Sequence, residues 1–171
     1  MHEKIRRAAA AHGYNEESGT LIILGWGAEN IEEIQNALMV DGKKRQVDTM
    51  ISIHSLCSVP RPQETIAALV GQLLKPGGSF LFHEHVRHPL RRASYYQTLL
   101  TPIWTNVFDG CKLDRDTVSY IRIAGEKASQ VASGRGSTEE HTVWVEQDLS
   151  EEDFAEINLL PRVTGRFVKR Y

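Results

Sequence analysis

Three short apolar runs, separated by amphipathic stretches, constrain this chain more than any other feature. The first is Leu21-Ile22-Ile23-Leu24, bounded by Gly19 and Gly25. The second is Val47 to Ile53, with Val47, Met50, Ile51 and Ile53 supplying its apolar weight, and the third is Ser79 to His83, entered through Pro76-Gly77-Gly78. Between them, Ala28 to Met39 repeats Ile31, Ile34 and Leu38, and Glu64 to Leu74 repeats Ile66, Leu69, Val70, Leu73 and Leu74, both at helical spacing. A continuous apolar run of strand length is buried on both faces, and an amphipathic helix has one face to lay over it. The alternation therefore predicts an α/β domain built on parallel strands.

The flanking segments extend this pattern. Glu3 to His12 is alanine-rich and ends at Gly13, a helix with a glycine C-cap. Arg91 to Trp104 reads as a helix that Pro102, near its end, either kinks or ends, and Asp114 or Asp116 caps another that runs to about residue 128. Ser133, Gly134, Gly136 and Ser137 mark 130–140 as a mobile loop. His141 to Glu146 alternates like a half-exposed strand, and Ser150 to Ile157 reads as a short helix with Glu151, Glu152 and Asp153 in its first turn. Val163 to Tyr171 closes the chain as a strand. One domain spans 1–171, without repeat or linker.

Charge and cysteine usage narrow the function classes. Twenty Lys and Arg stand against 22 Asp and Glu, a net charge of −2, which disfavours a nucleic-acid binder. The basic stretches Lys43-Lys44-Arg45 and Arg91-Arg92 are solvated faces. Two cysteines, Cys57 and Cys111, make no disulfide framework. No apolar run approaches the roughly 20 residues of a membrane span, and Met1 to His12 lacks a signal-peptide core. The expectation is a cytoplasmic protein with no membrane and no nucleic-acid partner.

Several segments, taken in order, resemble a class I S-adenosylmethionine-dependent methyltransferase, of the branch that holds the methyltransferase-like 7 thiol methyltransferases and fungal small-molecule relatives. Gly25-Trp26-Gly27-Ala28-Glu29 resembles the turn after that fold's third strand. Asp48 to Ser52, running into Leu56-Cys57-Ser58-Val59, resembles its fourth strand and the following signature. Leu73-Leu74-Lys75-Pro76-Gly77-Gly78-Ser79-Phe80 resembles the entry to strand five, and Glu84-His85-Val86 its end. Gln97, Trp104, Asp109-Gly110-Cys111 and Pro161 to Arg166 match further along.

The resemblance implies a three-layer Rossmann-like methyltransferase sheet, mixed, with an antiparallel C-terminal strand. It also implies that the first two strands, the glycine-rich cofactor loop and the acid that binds the ribose have no counterpart here, as in an N-terminally truncated, single incomplete domain. In that fold strands three and four are separated by strands two and one. Three outcomes follow: Leu21 to Leu24 slides beside Val47 to Ile53, a second copy or another chain completes the sheet, or the chain is poorly stable alone. Leu21 to Gly27 is itself an apolar strand followed by Gly-x-Gly and a helix, so it has the outline of a nucleotide loop, although a tight turn after a strand reads the same way.

The cofactor implied is S-adenosyl-L-methionine. Trp26, Gly27, Ala28 and Glu29 would lie beside its adenine, and His54 and Ser55 would line its methionine end. Glu29 could equally sit in a helix's first turn and Trp26 in the core. Glu84 and His85 are the catalytic candidates, His85 as a general base and Glu84 orienting it or binding substrate, with structural hydrogen bonding as the alternative. His83, His85 and His88 invite a metal reading. Residues 83 and 85 share a strand face, but a convincing third ligand is lacking, Cys57 and Asp109 being no more than possibilities, and no metal is expected. Tyr95, Tyr96, Trp104 and Phe108 could wall an apolar substrate pocket or form ordinary helix core.

The function expected is methyl transfer to a small-molecule thiol or hydroxyl, in keeping with secondary metabolism. The alternatives are a catalytically degenerate methyltransferase fold serving as a subunit or scaffold, and a non-methylating enzyme using Glu84 and His85.

Overall fold

The computed structural model describes residues 2–133, 142–152, 154 and 158–170. In chain order the elements are α1 (His2–Ala10), α2 (Ile31–Ala37), β1 (Val47–Ile53), α3 (Pro62–Ala68), β2 (Leu74–His85), α4 (Arg91–Val107), α5 (Thr117–Ser133), β3 (Trp144–Glu152) and β4 (Arg162–Lys169). A π-type turn, Leu69–Leu73, joins α3 to β2.

β1, α3 and β2 form the predicted βαβ unit. The strands run parallel, with Ile51 opposite Leu81 and Ile53 opposite His83. The Pro-Gly-Gly entry has a steric reason. Gly77 sits at φ +75°, and a side chain on Gly78 would come 2.9 Å from the Asp48 carbonyl of the neighbouring strand. β4 then pairs antiparallel with β2, and β3 with β4, giving the order β1-β2-β4-β3. The result is a Rossmann-like mixed sheet with its last strand antiparallel, as expected.

The core lies between this sheet and the α3–α5 layer. Phe80 and Phe82 on β2, and Val163 and Phe167 on β4, alternate inward against Ile66, Val70, Ile121 and Ala124. Each fully buried aromatic or branched side chain contributes roughly 1.5–3 kcal/mol. Trp144 packs edge-on to Phe167 at 5.4 Å and donates its indole N–H to the Ile121 carbonyl at 3.0 Å, locking β3 onto α5. Lys169 is also buried, and its ammonium donates to the Val70 and Leu74 carbonyls at the end of the π-type turn. On the opposite sheet face Ile51 and Ile53 stand 69% and 62% exposed. Among the described residues β1 pairs on one side only.

Four expectations change. Leu21 to Leu24 forms no strand and does not slide beside β1; the Leu21 amide instead donates to Asn15 in a local turn. An apolar run becomes a strand only where a neighbour takes its backbone hydrogen bonds, and among the described residues no strand pairs with it. Ser150 to Glu152 continue β3, opposite Thr164, Val163 and Arg162, where the acids predicted a helix's first turn. Residues 153 and 155–157 of that predicted helix lie outside the described residues. The predicted mobile loop 130–140 divides: α5 runs on to Ser133, and 134–140 lie outside the described residues. Pro102 does not end α4, which continues to Val107; Thr101 and Thr105 hydroxyls donate to the Gln97 and Thr101 carbonyls around it. No helix among the described residues is long and apolar enough to cross a membrane.

Candidate functional site

The carboxyl ends of β1 and β2 open into a cavity of about 670 Å³. The turn after β1 contributes His54, Cys57 and Ser58, and the last residue of β2 contributes His85. The turn after α4 adds Phe108, Asp109 and Cys111, and the approach to β4 adds Asn158, Leu160 and Arg162. Ligands of open α/β sheets collect at this edge.

Hydrogen bonds explain how distant segments are held to one wall. Glu84, fully buried, accepts from the Ser52 hydroxyl at 2.7 Å and from the Ser55 and Leu56 amides at 3.0 and 3.3 Å, all through Oε1. It welds the end of β2 to the turn after β1. Arg115, at the approach to α5, donates to the Leu56 and Val59 carbonyls, and the Lys112 amide donates to the Cys57 carbonyl. His54 and Asp109 are two of the four non-glycine residues held at positive φ among those described, +47° and +45°. Such backbone costs roughly 1–3 kcal/mol per residue and concentrates at ligand sites.

The titratable groups fall into two sets. Burial, and then the neighbouring His83, push the His54 pKa below its ordinary 6.5. His54 is thus neutral at pH 7, its ring edge-on to His83 at 4.9 Å. Burial lowers His85 too, but its contacts with the Cys57 thiol and the Lys112 carbonyl outweigh that and raise it. Burial raises Cys57, yet hydrogen bonding to His85, Ser58 and Cys111 holds it below 9.0. Cys111 is pushed up to about 12, chiefly by burial and then by Cys57.

The residues singled out from sequence separate accordingly. His54 and His85 line the cavity. Glu84 and Ser55 lie behind it as braces, the Ser55 hydroxyl 2.8 Å from that of Ser52. Trp26, Gly27, Ala28 and Glu29 do not line it: Trp26 is 56% exposed, Ala28 packs on the core, and the Glu29 carboxylate folds over Gly27. Phe108 lines the cavity with Trp104 stacked behind it at 3.9 Å, while Tyr95 and Tyr96 point to solvent. Asn158, Leu160 and Arg162 were not anticipated, since nothing in their spacing signals a site. Phe108 and the Asp109-Gly110-Cys111 turn were the available clues to the α4 side.

Residues 25–29, expected beside the adenine of S-adenosylmethionine, stand apart from this cavity. The Glu29 carboxylate fills the space that a side chain on Gly27 would take. The cavity is a compartment with apolar and ionisable walls.

The sheet order and the edge cavity define a Rossmann-like methyltransferase fold, and comparison with known proteins agrees. An O-methyltransferase family protein from Burkholderia thailandensis superposes with a TM-score of 0.57 over 99% of this chain and 40% of its own, at 13% identity. The thiol S-methyltransferase TMT1B of Rattus norvegicus is 34% identical over 103 residues, 60% of this chain and 38% of that protein. The thiol S-methyltransferase TMT1A of Homo sapiens is 42% identical over 72 residues, 42% of this chain and 29% of that protein. No family model matches the chain. The chain is similar in sequence to thiol S-methyltransferases and in fold to S-adenosylmethionine-dependent methyltransferases, and it spans less than half the length of the curated relatives it matches.

Proposed function

We propose that this chain supplies the acceptor side of a methyltransferase that acts on a small-molecule thiol, S-adenosylmethionine being the methyl donor of such an enzyme. The observation that carries the reading is the cavity at the carboxyl ends of β1 and β2, in a chain whose sequence relatives are thiol S-methyltransferases. Phe108 and Leu160 offer an apolar surface for the body of the acceptor. A thiol reacts as its thiolate, and His54, neutral at pH 7 and facing the cavity, is the group able to take the proton. His85 is less available, because its ring is already engaged by Lys112 and the two cysteines. Beyond that proton, the demand on these residues is alignment of the sulfur.

Isothermal titration calorimetry with S-adenosylmethionine and S-adenosylhomocysteine, alongside methylation of a small aliphatic thiol, tests this reading. Binding together with thiol-dependent turnover is expected. No heat at millimolar cofactor would remove the catalytic reading for the chain alone.

The scaffold alternative has one observation in its favour, an outer edge of β1 that no described strand pairs with, and Ile51 and Ile53 exposed beside it. Light scattering addresses it directly, since a stable monomer at all concentrations argues against a required partner.

A further inference from the structure

Cys57, His85 and Cys111 meet at the cavity from three separate parts of the chain: the turn after β1, the last residue of β2 and the turn after α4. Their ligating atoms all lie within 4.8 Å of one another. Among the described residues this is the one such convergence of three cysteine, histidine or acidic side chains. The Cys111 sulfur stands 3.9 Å from Nδ1 and 3.7 Å from Nε2 of His85. A tetrahedral zinc site, with metal–sulfur bonds of about 2.3 Å and metal–nitrogen bonds of about 2.0 Å, sets its donor atoms roughly 3.5–3.8 Å apart. The set is therefore at most about 1 Å wider than a loaded site, within reach of a side-chain rotation.

The histidine is also oriented for the task. Its Nε2 faces the Lys112 carbonyl at 3.1 Å, which holds the proton on that nitrogen and leaves the Nδ1 lone pair for a cation. Lys112 is itself tied to Cys57 through backbone hydrogen bonding, so the carbonyl behind the histidine and one of the thiols move as a unit. Two sulfurs and an imidazole form a soft donor set, which favours the zinc class over magnesium or calcium.

We propose that Cys57, His85 and Cys111 form a site for a thiophilic divalent cation of the zinc class, with the fourth coordination position open to the cavity. Three protein ligands and one open position is the arrangement of sites that exchange ligands, in contrast to the closed four-ligand structural type. The cysteines enter as thiolates, and their protons leave to solvent. The assignment does not depend on the methyltransferase reading.

Cobalt(II) is the spectroscopic probe, added to the purified full chain under a phosphine reductant. The expected result is one cobalt per chain, thiolate-to-cobalt charge-transfer absorption, tetrahedral visible bands, and displacement by zinc. C57S and C111S should each lose most of the charge-transfer absorption at cobalt levels that saturate the wild type, and H85Q should lose the tetrahedral bands. H83N should retain the full spectrum, because His83 pairs with Thr164 and does not line the cavity. Circular dichroism confirms that each variant is folded. Should a variant not fold, the wild type carries the test alone: zinc should shield both cysteines from iodoacetamide, read by peptide mass mapping, and magnesium should not. A cobalt spectrum without sulfur bands, equal alkylation with and without zinc, or a Cys57–Cys111 disulfide that persists under reductant would overturn the site.

Discussion

The Ser52 hydroxyl donates to Glu84 Oε1 at 2.7 Å, so the last turns of the two parallel strands are joined by a buried carboxylate. The same oxygen takes the Ser55 and Leu56 amides. Removing it strands several buried donors at once, each worth about 1–3 kcal/mol when left unpaired. E84A should therefore lower unfolding free energy by about 3 kcal/mol, and S52A by about 1 kcal/mol, in urea titrations. A loss under about 0.5 kcal/mol for E84A, well below the cost of even one unpaired buried donor, would show that water satisfies these groups.

Gly165 sits where β4 crosses under the aromatic ring of Phe82, with Leu149 on its other side. A methyl group there collides with both. G165A should cost about 2 kcal/mol, the usual penalty for overpacking a filled core. Thermal melting reads this directly, and an unchanged midpoint would mean that the sheet shifts to make room.

Burial lowers the Lys169 pKa from its ordinary 10.5. A base that is less readily protonated when folded opposes folding most while it is charged. Its contribution therefore improves as pH rises through the folded-state value, and levels off above 10.5, where both states are neutral. K169M lacks this titration. The stability difference between wild type and K169M should shift in favour of the wild type between neutral pH and 10.5. Parallel denaturant titrations at several pH values give the comparison, and a pH-independent difference contradicts it.

The depressed pKa of His54 bears on catalysis. If His54 takes the acceptor's proton, the acid limb of kcat/KM for the thiol should fall below pH 6.5, because the neutral imidazole persists to lower pH than in an ordinary histidine. H54N should reduce kcat by roughly 10²-fold or more and abolish that limb. A variant that keeps the limb assigns it to another group.

Phe108 provides an apolar wall that no buried polar contact depends on. F108A should raise KM for an apolar thiol about tenfold, the worth of roughly two buried methylene groups, with a smaller change in kcat. Steady-state kinetics across a series of alkyl thiols would show the effect growing with chain length.

The parts of this fold legible from sequence are those whose cause is local or periodic. β1 was read at its observed bounds because Val47 to Ile53 is a β-rich run between polar stretches, and the Pro-Gly-Gly entry to β2 because turn chemistry demands it. Leu21 to Leu24 misled, since an apolar run specifies willingness to pair and says nothing about whether a partner is within reach. Ser150 to Glu152 misled in the opposite sense: their acids suit a helix's first turn, but pairing with Arg162 to Thr164 takes precedence. In the cavity, His54 and His85 were visible because they end strands. The approach of Cys111 to Cys57 was not, because it depends on how the turn after α4 folds back, a distance that spacing along the chain does not encode.

Arg115 is the residue through which that long-range closure is made, its guanidinium shared between the Leu56 and Val59 carbonyls. A charged group buried in this way ties one helix to the backbone of a distant turn, and neither can leave without exposing the other's unmet hydrogen bonds. The cavity wall and the start of α5 therefore open together or stay closed together, as one cooperative unit, so the lifetime of the pocket is set by the stability of a helix that never touches its contents.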